Sequence, residues 1–110
     1  MTDLARKKCE PCEGGVDPLD RVGFSQYLEH IPDWSTVDDK MIEREFVFDN
    51  FGNALAFVNA AGAIAEEEGH HPNLFLHSWN KVVVSLFTHA IGGLSINDFI
   101  VAVKIDRIPR

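Results

Sequence analysis

One stretch leaves this chain little freedom. Phe51, Ala54, Leu55, Val58, Ala61 and Ala65 recur at three- and four-residue steps, the spacing that lines up apolar side chains on one face of an α-helix. Asn50 or Asp49 can cap its start, and Gly69 supplies the left-handed residue that commonly ends a helix. Pro72 prevents the helix from resuming and pushes His71 towards extended backbone. Alternating patterns flank the helix. Trp34–Val37 and Met41–Phe48 read as strands around an Asp38-Asp39 turn, with Ile42, Phe46 and Phe48 on one face and Glu43 and Glu45 on the other. Leu74–Trp79 and Val82–Thr88 read as a hairpin turning at Asn80-Lys81.

The ends of the pattern are helical. Asp17-Pro18 has the form of an N-cap with proline at the first helical position, opening a stripe of Leu19, Val22, Tyr27 and Leu28 that stops at Ile31-Pro32. Ser95-Ile96-Asn97-Asp98 resembles a capping box that opens a last helix reaching about Ile108. The order α-β-β-α-β-β-α predicts an α+β fold: a four-stranded antiparallel sheet with three helices packed on one face. Residues 1–17, with Cys9-Glu10-Pro11-Cys12-Glu13-Gly14-Gly15, read as an extended arm, and 18–110 as a single domain.

Charge and length remove several function classes. A net charge of −7 without a lysine or arginine cluster argues against nucleic acid and anionic membranes. The longest apolar runs, such as Val82–Phe87, fall far short of the ~20 residues a membrane helix needs. Met1-Thr2-Asp3-Leu4 leads into charges rather than a secretory core, so the expected location is cytoplasmic. Cys9 and Cys12 make no disulfide framework. They are half a zinc site at most, and they precede any strand, unlike a thioredoxin-type motif.

Histidine is where the chemistry collects. His30 at a helix end and His77 within a strand read as surface or packing residues. His70 and His71 occupy a helix-to-strand corner between Gly69 and Pro72, and His89 ends the last strand. In an antiparallel hairpin the start of one strand lies beside the end of its partner, so the three imidazoles can line one pocket. Glu66 lies four residues before His70, on the same side of the last helical turn, where it can orient that ring. Glu67 and Glu68 read as a solvated acidic tip. Trp79, an aromatic in a strand, reads as core.

Glu66-x-x-x-His70-His71-Pro72, followed by Trp79, His89 and Asp98, resembles the signature of the pterin-4a-carbinolamine dehydratases. Trp79–Val84, Thr88–Ser95 and the arm Lys7–Gly15 are similar to family text as well, so the resemblance spans nearly the whole chain. The spacer between Pro72 and Trp79 is one residue longer than in animal members, enough to bulge the strand opening.

The resemblance implies a dehydratase that eliminates water from a 4a-hydroxytetrahydropterin to give quinonoid dihydropterin, as in tetrahydrobiopterin recycling. The pterin is then the substrate, with no separate cofactor and no metal. His70 and His89 are implied in acid–base work and His71 mainly in substrate binding, with catalytic help. His70, His71, Pro72, Thr88, His89, Ala90 and Ile91 would line the pocket. Glu66 and Asp98 would support it, although the capping-box position explains Asp98 equally well and the structural role is the favoured one for it. A homodimer or homotetramer is implied, with a functional link to a pterin-dependent aromatic amino-acid hydroxylase. Two other readings compete. Three histidines can bind zinc, although adjacent ones seldom converge on one ion. Alternatively, the domain is a non-catalytic binding or assembly factor, and retention of all three imidazoles favours catalysis over it.

Overall fold

In the computed structural model, which describes residues 4–10 and 17–110, the amphipathic stretch forms helix α2, Phe51–Glu68. The Asn50 side chain accepts the Asn53 N–H at 2.7 Å, and Gly69 closes the helix at φ 65°, as the spacing requires. Ala54, Phe57, Ala61 and Ala65 are buried on its inner face. Before it come α1 (Arg21–Leu28), β1 (Ser35–Val37) and β2 (Met41–Val47). After it come β3 (Asn73–His77), β4 (Lys81–Leu86) and α3 (Ile96–Asp106).

The strands form one antiparallel sheet in the order β1-β2-β4-β3. Register places Phe46 opposite Val82 and Ile42 opposite Leu86, so that the apolar alternates of β2 and β4 share a face. That face is covered. Phe46 and Phe48 pack on Phe57 of α2 at ring-centroid distances of 4.6 and 5.0 Å. α1 packs in turn on α3, with Phe24 and Tyr27 against Phe99 at 6.2 and 5.4 Å. The expected α+β fold, helices on one side of the sheet, is the observed one. Arg44 also lies on the covered face. It is partnered by Asp106 Oδ1 at 2.9 Å, which accepts Trp34 Nε1–H as well.

Several local expectations are corrected. The first helix does not begin at Asp17-Pro18, because the Leu19 N–H donates to the Leu94 carbonyl at 2.8 Å, tying that segment to the loop before α3. Asp20 caps it instead, accepting the Gly23 N–H at 2.7 Å. Val22 is 87% exposed, and Phe24 takes the core position. The β3–β4 turn spans residues 78–80, with φ of 50° and 60° at Ser78 and Trp79, so that Asn80 lies in the turn as expected while Lys81 already belongs to β4. A tight hairpin with right-handed strand twist needs that backbone. Trp79 therefore sits on the turn, 59% exposed, and is not core. Its neighbour β3 pairs in unbroken register with β4, so the long Pro72–Trp79 spacer produces no bulge in the paired strand. Finally, β4 stops at Leu86, and His89 opens a 3-10 turn, His89–Ile91.

Part of the arm is docked. Leu4 begins a 3-10 turn, Leu4–Arg6, and is 1% exposed within the core cluster. Cys12 and the Gly14-Gly15 pair lie outside the described residues.

Asp106→Ala should leave the buried Trp34 indole N–H unpaired and, among the described residues, leave the Arg44 guanidinium only its longer 3.6 Å contact to Asp33. A loss of about 2–3 kcal/mol is expected by urea unfolding. A change under about 0.5 kcal/mol would show that solvent replaces the carboxylate.

Candidate active site

The end of α2 and the start of α3 converge on one side chain. Asp98 is fully buried at the third position of α3. Its Oδ2 accepts the Ser95 N–H at 3.0 Å, as in a capping box, and the Thr88 hydroxyl at 2.8 Å. Its Oδ1 lies 2.6 Å from His70 Nε2. A carboxylate in that position accepts, so it fixes the Nε2–H tautomer and leaves Nδ1 as the unengaged ring nitrogen. His70 keeps 12% of its side-chain surface exposed, which makes it the most sheltered imidazole of the three.

This corrects the pairing expected from spacing. Glu66 does not orient His70. Its Oε1 meets His71 Nε2 at 2.7 Å, with side-chain exposures of 81% and 59%, a solvent-screened contact worth little stability. Four-residue spacing places two residues on one helical face only while the helix continues. Here Gly69 turns the chain before His70 is reached.

His89 arrives from the other direction. Thr88 pairs with Gly93 as an isolated antiparallel bridge, pinching out a small loop that carries His89, Ala90 and Ile91. Gly93 must be glycine, since a Cβ there would fall 2.6 Å from Pro18 Cβ. The His89 ring rests on Phe87, centroids 4.2 Å apart.

These segments enclose a cleft of about 400 Å³ lined by His70, His71, Phe87, Thr88, His89 and Ala90 together with Gly69, Glu68, Cys9, Glu10 and Asn97. Its volume suits a small ligand. Three other clefts of similar volume, one of them beside Phe57 and the carboxyl-terminal residues, each hold at most one histidine among their described residues. The three histidines are thus brought together. Pro72 and Ile91, expected in the lining, are not on it, and Glu66 and Asp98 reach it only through their contacts with His71 and His70. His30 lies in a separate cleft, and His77 stacks on Phe75 with Nε2 at 3.2 Å from Glu45. Among the described residues, no group of three or more His, Cys, Asp or Glu side chains is arranged to hold a metal ion. No helix among them is long and apolar enough to cross a membrane.

Reading the sequence alone missed the floor of the cleft. Glu68 is no solvated tip. It is buried, its Oε2 2.6 Å from Lys104 Nζ and its Oε1 accepting the Cys9 N–H at 2.9 Å. The signal was available, because Ala61, Ala65 and Glu68 continue the inner stripe of α2 while Glu66 and Glu67 leave it. Burial alone would raise the Glu68 carboxyl, but the Lys104 hydrogen bond and the Cys9 N–H outweigh it and hold it below the ordinary value of 4.5. Cys9 responds oppositely. Burial first, then the Glu68 charge, push its thiol up to about 12.

A small α+β domain with an imidazole-lined cleft between the ends of two helices is the class that fold and site define. The family described as pterin 4 alpha carbinolamine dehydratase matches residues 17–108. A relative in Alkaliphilus metalliredigens, provisionally named a pterin-4-alpha-carbinolamine dehydratase, is 46% identical over 97% of this chain and 96% of its own. One of the same provisional name in Rubrobacter xylanophilus is 43% identical over 98% and 100%. The crystal structure of a transcriptional coactivator/pterin dehydratase from Brucella melitensis superposes with a TM-score of 0.75 at 32% identity, covering 82% of this chain and 96% of that one. A pterin dehydratase-like RuBisCO assembly factor of the alpha-carboxysome shares the fold, with a TM-score of 0.58 at 24% identity over 70% and 89%. The chain belongs to the pterin-4-alpha-carbinolamine dehydratase family.

Two predictions follow from Glu68 and Cys9. A carboxyl held low in the folded state contributes stability that is complete above its unfolded value and lost as pH falls through the folded one. Wild-type stability should therefore decline below about pH 4.5, and Glu68→Gln should flatten that decline while costing about 2 kcal/mol at neutral pH. Unfolding titrations across pH read both. The Cys9 thiol, un-ionised at pH 8, should resist iodoacetamide in the folded protein and react once the chain is unfolded, as followed by peptide mass mapping.

Proposed function

We propose that this protein is a 4a-hydroxytetrahydropterin dehydratase working by histidine general acid–base catalysis. The observation that carries this reading is the His70–Asp98 contact of 2.6 Å at the wall of a cleft shared with His71 and His89. Dehydration breaks the C4a–O bond and removes the N5 proton, so that a C4a=N5 double bond forms and water leaves. The departing hydroxyl needs a proton, and N5 must give one up.

Imidazoles suit both transfers, each worth ~10²–10⁴ in rate. His70 is held by Asp98 with Nδ1 unengaged, and the exposed His89 is carried by a pinned loop. These two take the acid and base roles, and His71, with Glu66 behind it, chiefly holds substrate. The Thr88 backbone is occupied by Gly93, so its contribution is the loop's shape. The physiological setting we propose is tetrahydrobiopterin recycling in the cytoplasm beside a pterin-dependent aromatic amino-acid hydroxylase, with the protein a homodimer or homotetramer. The pterin is substrate, and no further cofactor or metal enters the scheme. The assembly-factor alternative draws only on a shared fold, and no feature of the cleft calls for it.

Purified protein should accelerate loss of the 4a-carbinolamine generated by a pterin-dependent hydroxylase. His70→Ala and His89→Ala should each cut kcat by about 10²-fold or more. His71→Ala should act mostly on KM. Wild type and both variants equally inert, with folding intact by circular dichroism, would overturn the proposal.

A further inference from the structure

Cys9 and Glu10 of the amino-terminal arm line the histidine cleft, and buried side chains hold them there. Asn97, 5% exposed, treats Glu10 as a strand neighbour would: its Oδ1 accepts the Glu10 N–H at 3.1 Å, and its Nδ2 donates to the Glu10 carbonyl at 2.6 Å. One residue earlier, Glu68 Oε1 accepts the Cys9 N–H at 2.9 Å, and the Cys9 thiol donates weakly to the Asn97 carbonyl at 3.6 Å. Leu4, earlier in the arm, is buried in the core. A buried asparagine that gives donor and acceptor to one backbone residue fixes that residue's position. Cys9 and Glu10 accordingly line the same cleft as the imidazoles, and Glu10 also borders an adjoining cleft beside Lys7 and Lys8.

The carboxylates around the cleft are not equally available. Both Asp98 oxygens are engaged, by His70, Thr88 and Ser95. Both Glu68 oxygens are engaged, by Cys9 and Lys104. Glu66 faces His71 and is off the lining. Glu10 lines the cleft, and among the described residues no donor pairs with its carboxylate. Among the described residues it is the one lining carboxylate with both oxygens open. The imidazoles of the cleft can serve the C4a–N5 side of a pterin, but they offer no fixed pair of acceptors for its 2-amino-4-oxopyrimidine edge. That edge presents two parallel N–H donors, at N3 and the 2-amino group, which a carboxylate accepts in bidentate fashion.

We propose that Glu10 is a substrate-binding residue that recognises this donor edge, and that Asn97 and Glu68 are positioning residues acting through the arm. The inference rests on the pterin reading of the cleft and adds the source of selectivity for the aminopyrimidine ring.

The test compares two non-reacting probes, 2-amino-4-oxopteridine and 2,4-dioxopteridine, the second presenting an oxygen where the first has the amino group. Binding is followed by ligand fluorescence, with dehydratase turnover measured on the same preparations. Wild type should prefer the amino compound by about tenfold or more, the value of one charge-assisted hydrogen-bond pair. Glu10→Gln and Glu10→Ala should bring that preference close to one, and should raise KM with a smaller effect on kcat. Because Glu10 is exposed, these variants keep the fold. Asn97→Ala, with Glu10 intact, should lose the same preference through a loosened arm. An unchanged preference in both Glu10 variants of an active enzyme would overturn this inference alone. Wild type that neither binds pteridine nor turns over substrate would remove the pterin reading and this inference with it. Wild type that binds with the predicted selectivity but lacks turnover would support Glu10 and sink only the dehydratase.

Discussion

A carboxylate without exposed surface must be surrounded by donors, and the donors that Asp98 collects come from distant parts of the chain. Ser95 belongs to its own helix start, Thr88 to the segment after β4, and His70 to the corner after α2. One buried side chain thus caps α3, fixes the loop that carries His89 and orients the imidazole of His70. Leaving any of these donors unpaired inside the protein would cost on the order of 1–3 kcal/mol. The cap and the site are therefore one arrangement, and the choice between a structural and a functional Asp98 does not arise.

A parallel clamp runs one residue away. Asn97 and Glu68 hold the arm by its backbone, while Lys104 balances the Glu68 charge. The two systems share α3 and the end of α2, and together they bring the imidazoles and the arm residues Cys9 and Glu10 to one cleft. The Cys9 thiol, held neutral by burial and by Glu68, packs in this clamp and offers no thiolate near neutral pH.

Legibility in the sequence followed the range of the interaction responsible. Helix α2, its Asn50 cap and its Gly69 stop rest on contacts within four residues and were readable directly. So was the sharing of one face by Ile42 and Phe46, which strand alternation dictates. The start of α1 was misread because Leu19 bonds to Leu94, a partner 75 positions away that no local signal announces. Trp79 was misread as core because side-chain hydrophobicity says nothing about a register that puts the residue on a turn with φ of 60°. Among the site residues, the three histidines were evident from the corner and the hairpin. Glu68, Asn97 and the cleft-facing arm were not, since polar groups at a helix end read as solvated until the partner that buries them is known.

Local spacing alone determined the order of elements, the single covered sheet face, the α2 corner and the candidacy of His70, His71 and His89. Resemblance in those same residues pointed to the pterin dehydratases, and the match over 17–108 places the chain in that family. Only the tertiary structure decided which carboxylate serves which imidazole. Helical periodicity offered Glu66 to His70, but the left-handed Gly69 swings the chain, leaves Glu66 to the exposed His71 and delivers His70 to Asp98, 28 residues further on. The reason is physical: spacing constrains neighbours on one element, whereas a buried charge selects its donors from whatever the packed elements bring within reach.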